Sequence, residues 1–142
     1  MENNKKYHKV QDGRTLYCDV DDTLIMWDSR PDILKRHDVV EVNCRGYSTW
    51  VIPHTEIIEE VKKRASRGYS VIIWSKGGSD WAEAVVNALN LDDYVACIQP
   101  KPDFYIDDVE DCRKWMGIHK YISFKDNSLE LLKDEIEKRG NV

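Results

Sequence analysis

The sequence predicts an α/β fold, a largely parallel sheet with helices on both faces. Three observations carry this. Short runs with the apolar character of buried strands, such as Leu16–Val20 and Tyr69–Trp74, alternate with segments of helical period such as residues 53–67. Each of those two strands ends in a polar run, Asp19-Val20-Asp21-Asp22 after the first and Ser75-Lys76-Gly77-Gly78 after the other. The order β-(hairpin)-α-β-α-β-β-α-β-α then suits parallel strands joined by helical crossovers.

The elements follow in order. Residues 1–13 read as a loosely docked terminus closed by the turn signal Asp12-Gly13, and residues 15–20 as the first strand. Residues 26–52 form an insert. Within it, Asp28–Asp32 is a loop, and Val39–Val42 and Tyr47–Ile52 are strands of a hairpin around Arg45-Gly46. The insert is too short to bury a core of its own.

Pro53 through Arg67 is a helix with the apolar stripe Ile57, Ile58, Val61 and Ala65. Pro53 suits its first turn and Gly68 its C′ position. The strand Tyr69–Trp74 follows. Asp80, three residues before Glu83, has capping-box spacing for a helix over Trp81–Leu89. Tyr94–Ile98 is a short strand, Pro100-Lys101-Pro102 a break, and Phe104–Ile106 another strand. Val109–Trp115 reads as a helix, Tyr121–Phe124 as the last strand and residues 128–139 as the last helix, capped by Asn127.

At 142 residues the chain fits one domain, 1–142, able to bury roughly two-thirds of its unfolded surface. The net charge of −5 argues against a nucleic-acid binder, whose footprint is usually basic. Residues 1–9 lack the apolar core of a signal peptide, and no run is long enough to span a membrane. Cys18, Cys44, Cys97 and Cys112 show no C-x-x-C pairing. Reduced thiols in a cytoplasmic protein are therefore expected rather than a disulfide framework or a zinc site.

In a parallel sheet, residues just beyond the strands share one edge, where ligands bind. Here they are Asp19 and Asp21, then Ser75, Lys101, and Asp107 with Asp108. Crowded carboxylates call for a cation or a proton between them. Such a set suits phosphoryl transfer, with acidic oxygens on Mg²⁺ and a cation and a hydroxyl on the phosphate.

Asp19-x-Asp21-x-Thr23 after a hydrophobic strand, then Ser75, Lys101 and Asp107-Asp108, resembles the four motifs of the haloacid dehalogenase superfamily over residues 15 to 125. Lys101-Pro102-Asp103-Phe104-Tyr105-Ile106-Asp107-Asp108 resembles the compact third-plus-fourth motif of its small members. The resemblance implies a Rossmann-like three-layer α/β/α sandwich, with the insert at 26–52 as a minimal cap. It also implies a phosphatase working through an aspartyl-phosphate on Asp19, with Asp21 as general acid and base. In that scheme Ser75 binds a phosphoryl oxygen, and Lys101 neutralises charge on the phosphate and Asp19. Mg²⁺ takes Asp19, the backbone carbonyl of Asp21, Asp107 directly and Asp108 directly or through water. Lys76 beside Ser75 is an alternative to Lys101, which lies only six residues before Asp107.

Asp22 and Thr23 are expected to shape the turn. Asp111 is read as a surface residue, with support of Asp107 and Asp108 as its alternative role. The four histidines show no ligand spacing. Trp27 and Trp50 are the tryptophans allowed near a substrate.

A minimal cap leaves an open site. That suits a phosphate on a macromolecule end, or a small phosphomonoester with an oligomer partner closing the site. The leading expectation is a Mg²⁺-dependent phosphomonoesterase. A nucleotide or polynucleotide-end phosphatase is an alternative, for which Lys35, Arg36, Arg45 and Trp50 offer a thin basic and aromatic surface. A non-enzymatic Mg²⁺- and phosphate-binding regulatory module is the third.

Overall fold

A computed structural model provides the fold, describing Val10, residues 13–27 and residues 38–118. In chain order the elements are β1 (Thr15–Asp19), β2 (Ile25–Met26), β3 (Val40–Cys44), β4 (Tyr47–Pro53), α1 (Thr55–Ser66), β5 (Ser70–Ser75), α2 (Ser79–Ala88) and β6 (Cys97–Pro100). Short 3₁₀ turns occupy Asp92–Tyr94 and Cys112–Lys114.

β1, β5 and β6 form a parallel sheet in the order β1-β5-β6, the α/β architecture expected. Cys18 sits opposite Ile73, and Ile73 opposite Ile98. Alternation along the strands puts Cys18, Val71 and Ile73 on one face. There they join Ile57, Ile58 and Val61 of α1 and Ala82, Val85 and Val86 of α2 in one buried core. Both crossovers step the same way across the sheet, so right-handed connections bring both helices to this face. The other face carries Tyr17 and Trp74, their ring centroids 4.7 Å apart. The strand Tyr121–Phe124 and the helix over 128–139 expected from the sequence lie outside the described residues.

The hairpin is present. β3 pairs with β4 from Val40 opposite Val51 to Cys44 opposite Tyr47. Arg45 and Gly46 turn the chain with φ of 53° and 82°, the doubly left-handed geometry of a tight hairpin. β4 runs on to Pro53 and there pairs with β2, giving a second, antiparallel sheet in the order β2-β4-β3. Val42 and Val51 are fully buried and belong to the main core. An insert too short for a core of its own shares that of the sheet.

Several boundaries differ from expectation. Pro53 closes β4 instead of opening the helix, and α1 is capped by His54, whose Nδ1 accepts from the Ile57 amide at 3.2 Å. Asp80 makes no capping box. Its carboxylate is taken by Arg45 of the hairpin turn at 3.0 Å, and Gly78 caps α2 without a side-chain bond. β6 begins at Cys97 rather than Tyr94, because the 3₁₀ turn at Asp92–Tyr94 uses the preceding residues.

The largest correction concerns residues 104–115. Phe104–Ile106 form no strand, and Phe104 and Ile106 are 80% and 89% exposed. Pro100 ends β6, Pro102 has no amide to give, and among the described residues the apolar triplet finds no strand to pair with. The helix expected over Val109–Trp115 is reduced to the turn at Cys112–Lys114.

Candidate active site

β1 delivers Asp19 to the carboxyl edge of the sheet. A tight turn follows, in which the Val20 carbonyl accepts from the amides of Thr23, Leu24 and Ile25 at 3.2, 2.9 and 3.2 Å. Asp22 takes the left-handed conformation this turn needs, φ 60°, which aspartate tolerates better than most residues. Val20 and Leu24 are fully buried and anchor it. Asp22 and Thr23 therefore shape the turn, as expected.

Asp19 is held from two sides. Thr23 Oγ1 donates to Oδ2 at 3.3 Å, and Lys101 Nζ lies 3.1 Å from Oδ1. The Lys101 amide donates to the Ser75 carbonyl at 2.9 Å, which fixes the loop after β6 against the end of β5. Its ammonium also lies 5.8 Å from the centre of the Trp74 ring. Lys76 points elsewhere, onto Asp103 at 2.6 Å, a contact that holds the exposed Asp103 carboxyl below its ordinary range.

Asp21 has partners of another kind. Its Oδ1 accepts from the indole of Trp27 at 3.1 Å and from that of Trp81 at 3.0 Å. The two rings are stacked, 5.5 Å between centroids and 18° between planes. Trp27 follows β2 and Trp81 stands in the first turn of α2. The sequence marked Trp27 as a neighbour of the site but missed Trp81. No composition or spacing signal marked Trp81, whose bond to Asp21 joins positions sixty apart.

Ser75 ends β5, one position beyond the pair Asp19 and Trp74 in the parallel register. It is fully buried, and its Oγ accepts from the Gly77 amide at 2.9 Å. Cys18, beside Asp19, is also buried. Burial first, and then the charge of Asp19, pushes its thiol up to about 12, with Lys101 opposing. A thiol of that kind stays protonated and is no nucleophile. All four cysteines are free.

Asp107 and Asp108 are exposed in the unpaired segment after Lys101. Asp107 Oδ1 accepts from the Val109 amide at 2.7 Å, closing a local turn. Asp111 caps the turn at Cys112–Lys114 and pairs with Arg113 at 2.7 Å. The structure thus brings together Asp19, Asp21, Ser75 and Lys101 at one edge, but not Asp107 and Asp108 with them. Four carboxylates are hard oxygen donors of the kind Mg²⁺ takes. Their positions do not make a ligand set, because among the described residues no three His, Cys, Asp or Glu side chains gather closely enough to hold an ion.

Among the described residues no helix is long and apolar enough to cross a membrane. The family model of the NLI interacting factor-like phosphatases matches residues 14–132. No curated protein and no solved structure matches the chain.

Proposed function

The chain belongs to the NLI interacting factor-like phosphatase family, a phosphatase family of the haloacid dehalogenase type, and on that premise we propose that it hydrolyses phosphomonoesters through an aspartyl-phosphate on Asp19. The observation that carries the assignment is the contact of Lys101 with Asp19, 3.1 Å between Nζ and Oδ1. It brings a cation to a carboxylate at the strand edge where the phosphate would arrive.

Asp19 attacks phosphorus, and the bond from phosphorus to the leaving oxygen breaks. Asp21 gives that oxygen a proton and then takes one from the water that attacks the phosphoryl-aspartate, breaking the bond from phosphorus to Asp19 and releasing inorganic phosphate. Lys101 offsets charge on the phosphoryl group and Asp19. The Ser75 hydroxyl, its oxygen already accepting from Gly77, still has a proton to donate, and we assign that proton to a phosphoryl oxygen.

Mg²⁺ is the cofactor we infer, from the oxygen chemistry of Asp19, Asp21, Asp107 and Asp108, although the last two stand apart from the others. The substrate is a phosphorylated molecule. We read residues 1–142 as one domain in which the hairpin serves as a minimal cap.

The test is release of phosphate from an aryl phosphate by the wild-type protein and by Asp19→Asn. Loss of turnover in a folded variant is expected. Appreciable remaining activity means that the nucleophile is another group.

A further inference from the structure

The reaction scheme leaves unused the pair of indoles on Asp21. Trp27 and Trp81 come from distant parts of the chain, yet both N–H groups point at the same oxygen, Oδ1, from 3.1 and 3.0 Å. An indole can only donate, and a carboxylate oxygen has two lone pairs in the carboxyl plane. Two donors use both, so a proton carried by this carboxyl rides on Oδ2. The stacked rings also restrain each other, since neither can swing without losing a face contact and a hydrogen bond.

We propose that Trp27 and Trp81 are positioning residues for Asp21, holding Oδ1 so that Oδ2 alone exchanges the proton with the leaving oxygen and then with water. This rests on the assignment of Asp21 as general acid and base, and adds to it the groups that set its orientation. A side chain held in one orientation before the reaction spends no free energy on finding it during bond cleavage. Trp81 is rooted in α2, which packs on the main core, whereas Trp27 leaves β2 at the base of the insert. The donors therefore couple the acid to both parts of the fold.

Proton delivery matters in proportion to how poor the leaving group is. An alkoxide must be protonated as it departs, whereas a p-nitrophenolate departs nearly as well without help. Trp27→Phe and Trp81→Phe keep a ring for the stack and remove only the N–H. The measurement is kcat and KM of each variant on p-nitrophenyl phosphate and on an alkyl phosphate.

The expected result is a larger fall in kcat on the alkyl ester, with the ratio of the two kcat values moving by roughly tenfold and KM little changed. Equal losses on both esters overturn the proposal, because a purely structural defect lowers both alike. Two variants guard against one that fails to fold. If neither folds, the indole ¹H–¹⁵N signals of the wild-type protein carry the test. There Asp21→Asn must shift two indole N–H signals, and no shift overturns the contact itself.

Failure of the underlying scheme looks different. Wild-type protein inactive on both esters, or Asp21→Asn losing no more activity on the alkyl ester than on the aryl ester, removes Asp21 as the acid and takes the proposal with it.

Discussion

The ammonium of Lys101 stands 3.1 Å from the carboxylate of Asp19, while the Lys101 amide is bonded to the carbonyl of Ser75. One residue thus joins the ends of β1 and β5, through its side chain to the first and its backbone to the second. The side chain can be changed without disturbing the backbone bond. Lys101→Met is expected to lower kcat by about 100-fold or more, the usual cost of losing a group that meets developing charge. Lys76→Met, which removes only the exposed pairing with Asp103, should fall within about threefold of wild type. The reverse order would make Lys76 the phosphate-binding cation.

At Gly77 a side chain fits only if its neighbours give way by a few tenths of an ångström. A Cβ there would lie 3.0 Å from Cδ1 of Trp81 and 3.2 Å from Oγ of Ser75. Gly77→Ala is expected to displace the Trp81 ring and cost about 1–3 kcal/mol, read as a lowered thermal midpoint. A midpoint at the wild-type value would show that the loop yields freely.

His54 makes stability depend on pH. Its Nδ1 must be unprotonated to accept from the Ile57 amide, and burial lowers the imidazole below its ordinary value near 6.5. With the folded value depressed, the unfolded chain binds the proton first as pH falls. The contribution is present above about pH 6.5 and is lost as pH falls towards the folded value. His54→Ser keeps a capping oxygen and cannot titrate. Denaturant unfolding at pH 7.5 and 5.5 should show a smaller acid loss in the variant than in wild type, and equal losses would exclude His54 as the cause.

Asp107 has two candidate roles, the local turn with Val109 and a share of the metal. Chelation is expected to abolish phosphate release. Asp107→Ala should raise the Mg²⁺ concentration for half-maximal activity by about tenfold or more if a charged oxygen ligand has gone. An unchanged titration with a modest stability loss would leave Asp107 with the turn alone.

Much of the fold was legible because periodicity records burial. Ile57, Ile58 and Val61 lie at helical spacing and do form the buried side of α1. Val71, Ile72 and Ile73 read as a strand covered on both faces and are almost wholly buried. Arg45-Gly46 marked a turn correctly, since the glycine supplies a left-handed residue at no steric cost. What failed was whatever depends on a partner far along the chain. Phe104–Ile106 has strand composition, but among the described residues no strand pairs with it. Asp80 had capping-box spacing with Glu83, yet its carboxylate went to Arg45, which the hairpin brings within reach.

The site divides in the same way. Asp19, Asp21, Ser75 and Lys101 were legible because strand ends in a parallel sheet must share an edge. The bond from Trp81 to Asp21 spans sixty positions and rests on no composition or spacing rule. Only the packing of α2 against the sheet creates it.

The burial of Val42 and Val51 bears on how substrate reaches the site. A hinged lid opens because its interior contacts are few and water replaces them cheaply. Swinging this hairpin away would expose two valines at roughly 1.5–3 kcal/mol each, leaving the open form at about one molecule in a hundred or fewer. If the hairpin serves as the cap, entry and release are expected to proceed past it without its swinging away. Turnover should show no step limited by cap opening, and solvent viscosity should slow it only through diffusion of the reactants themselves.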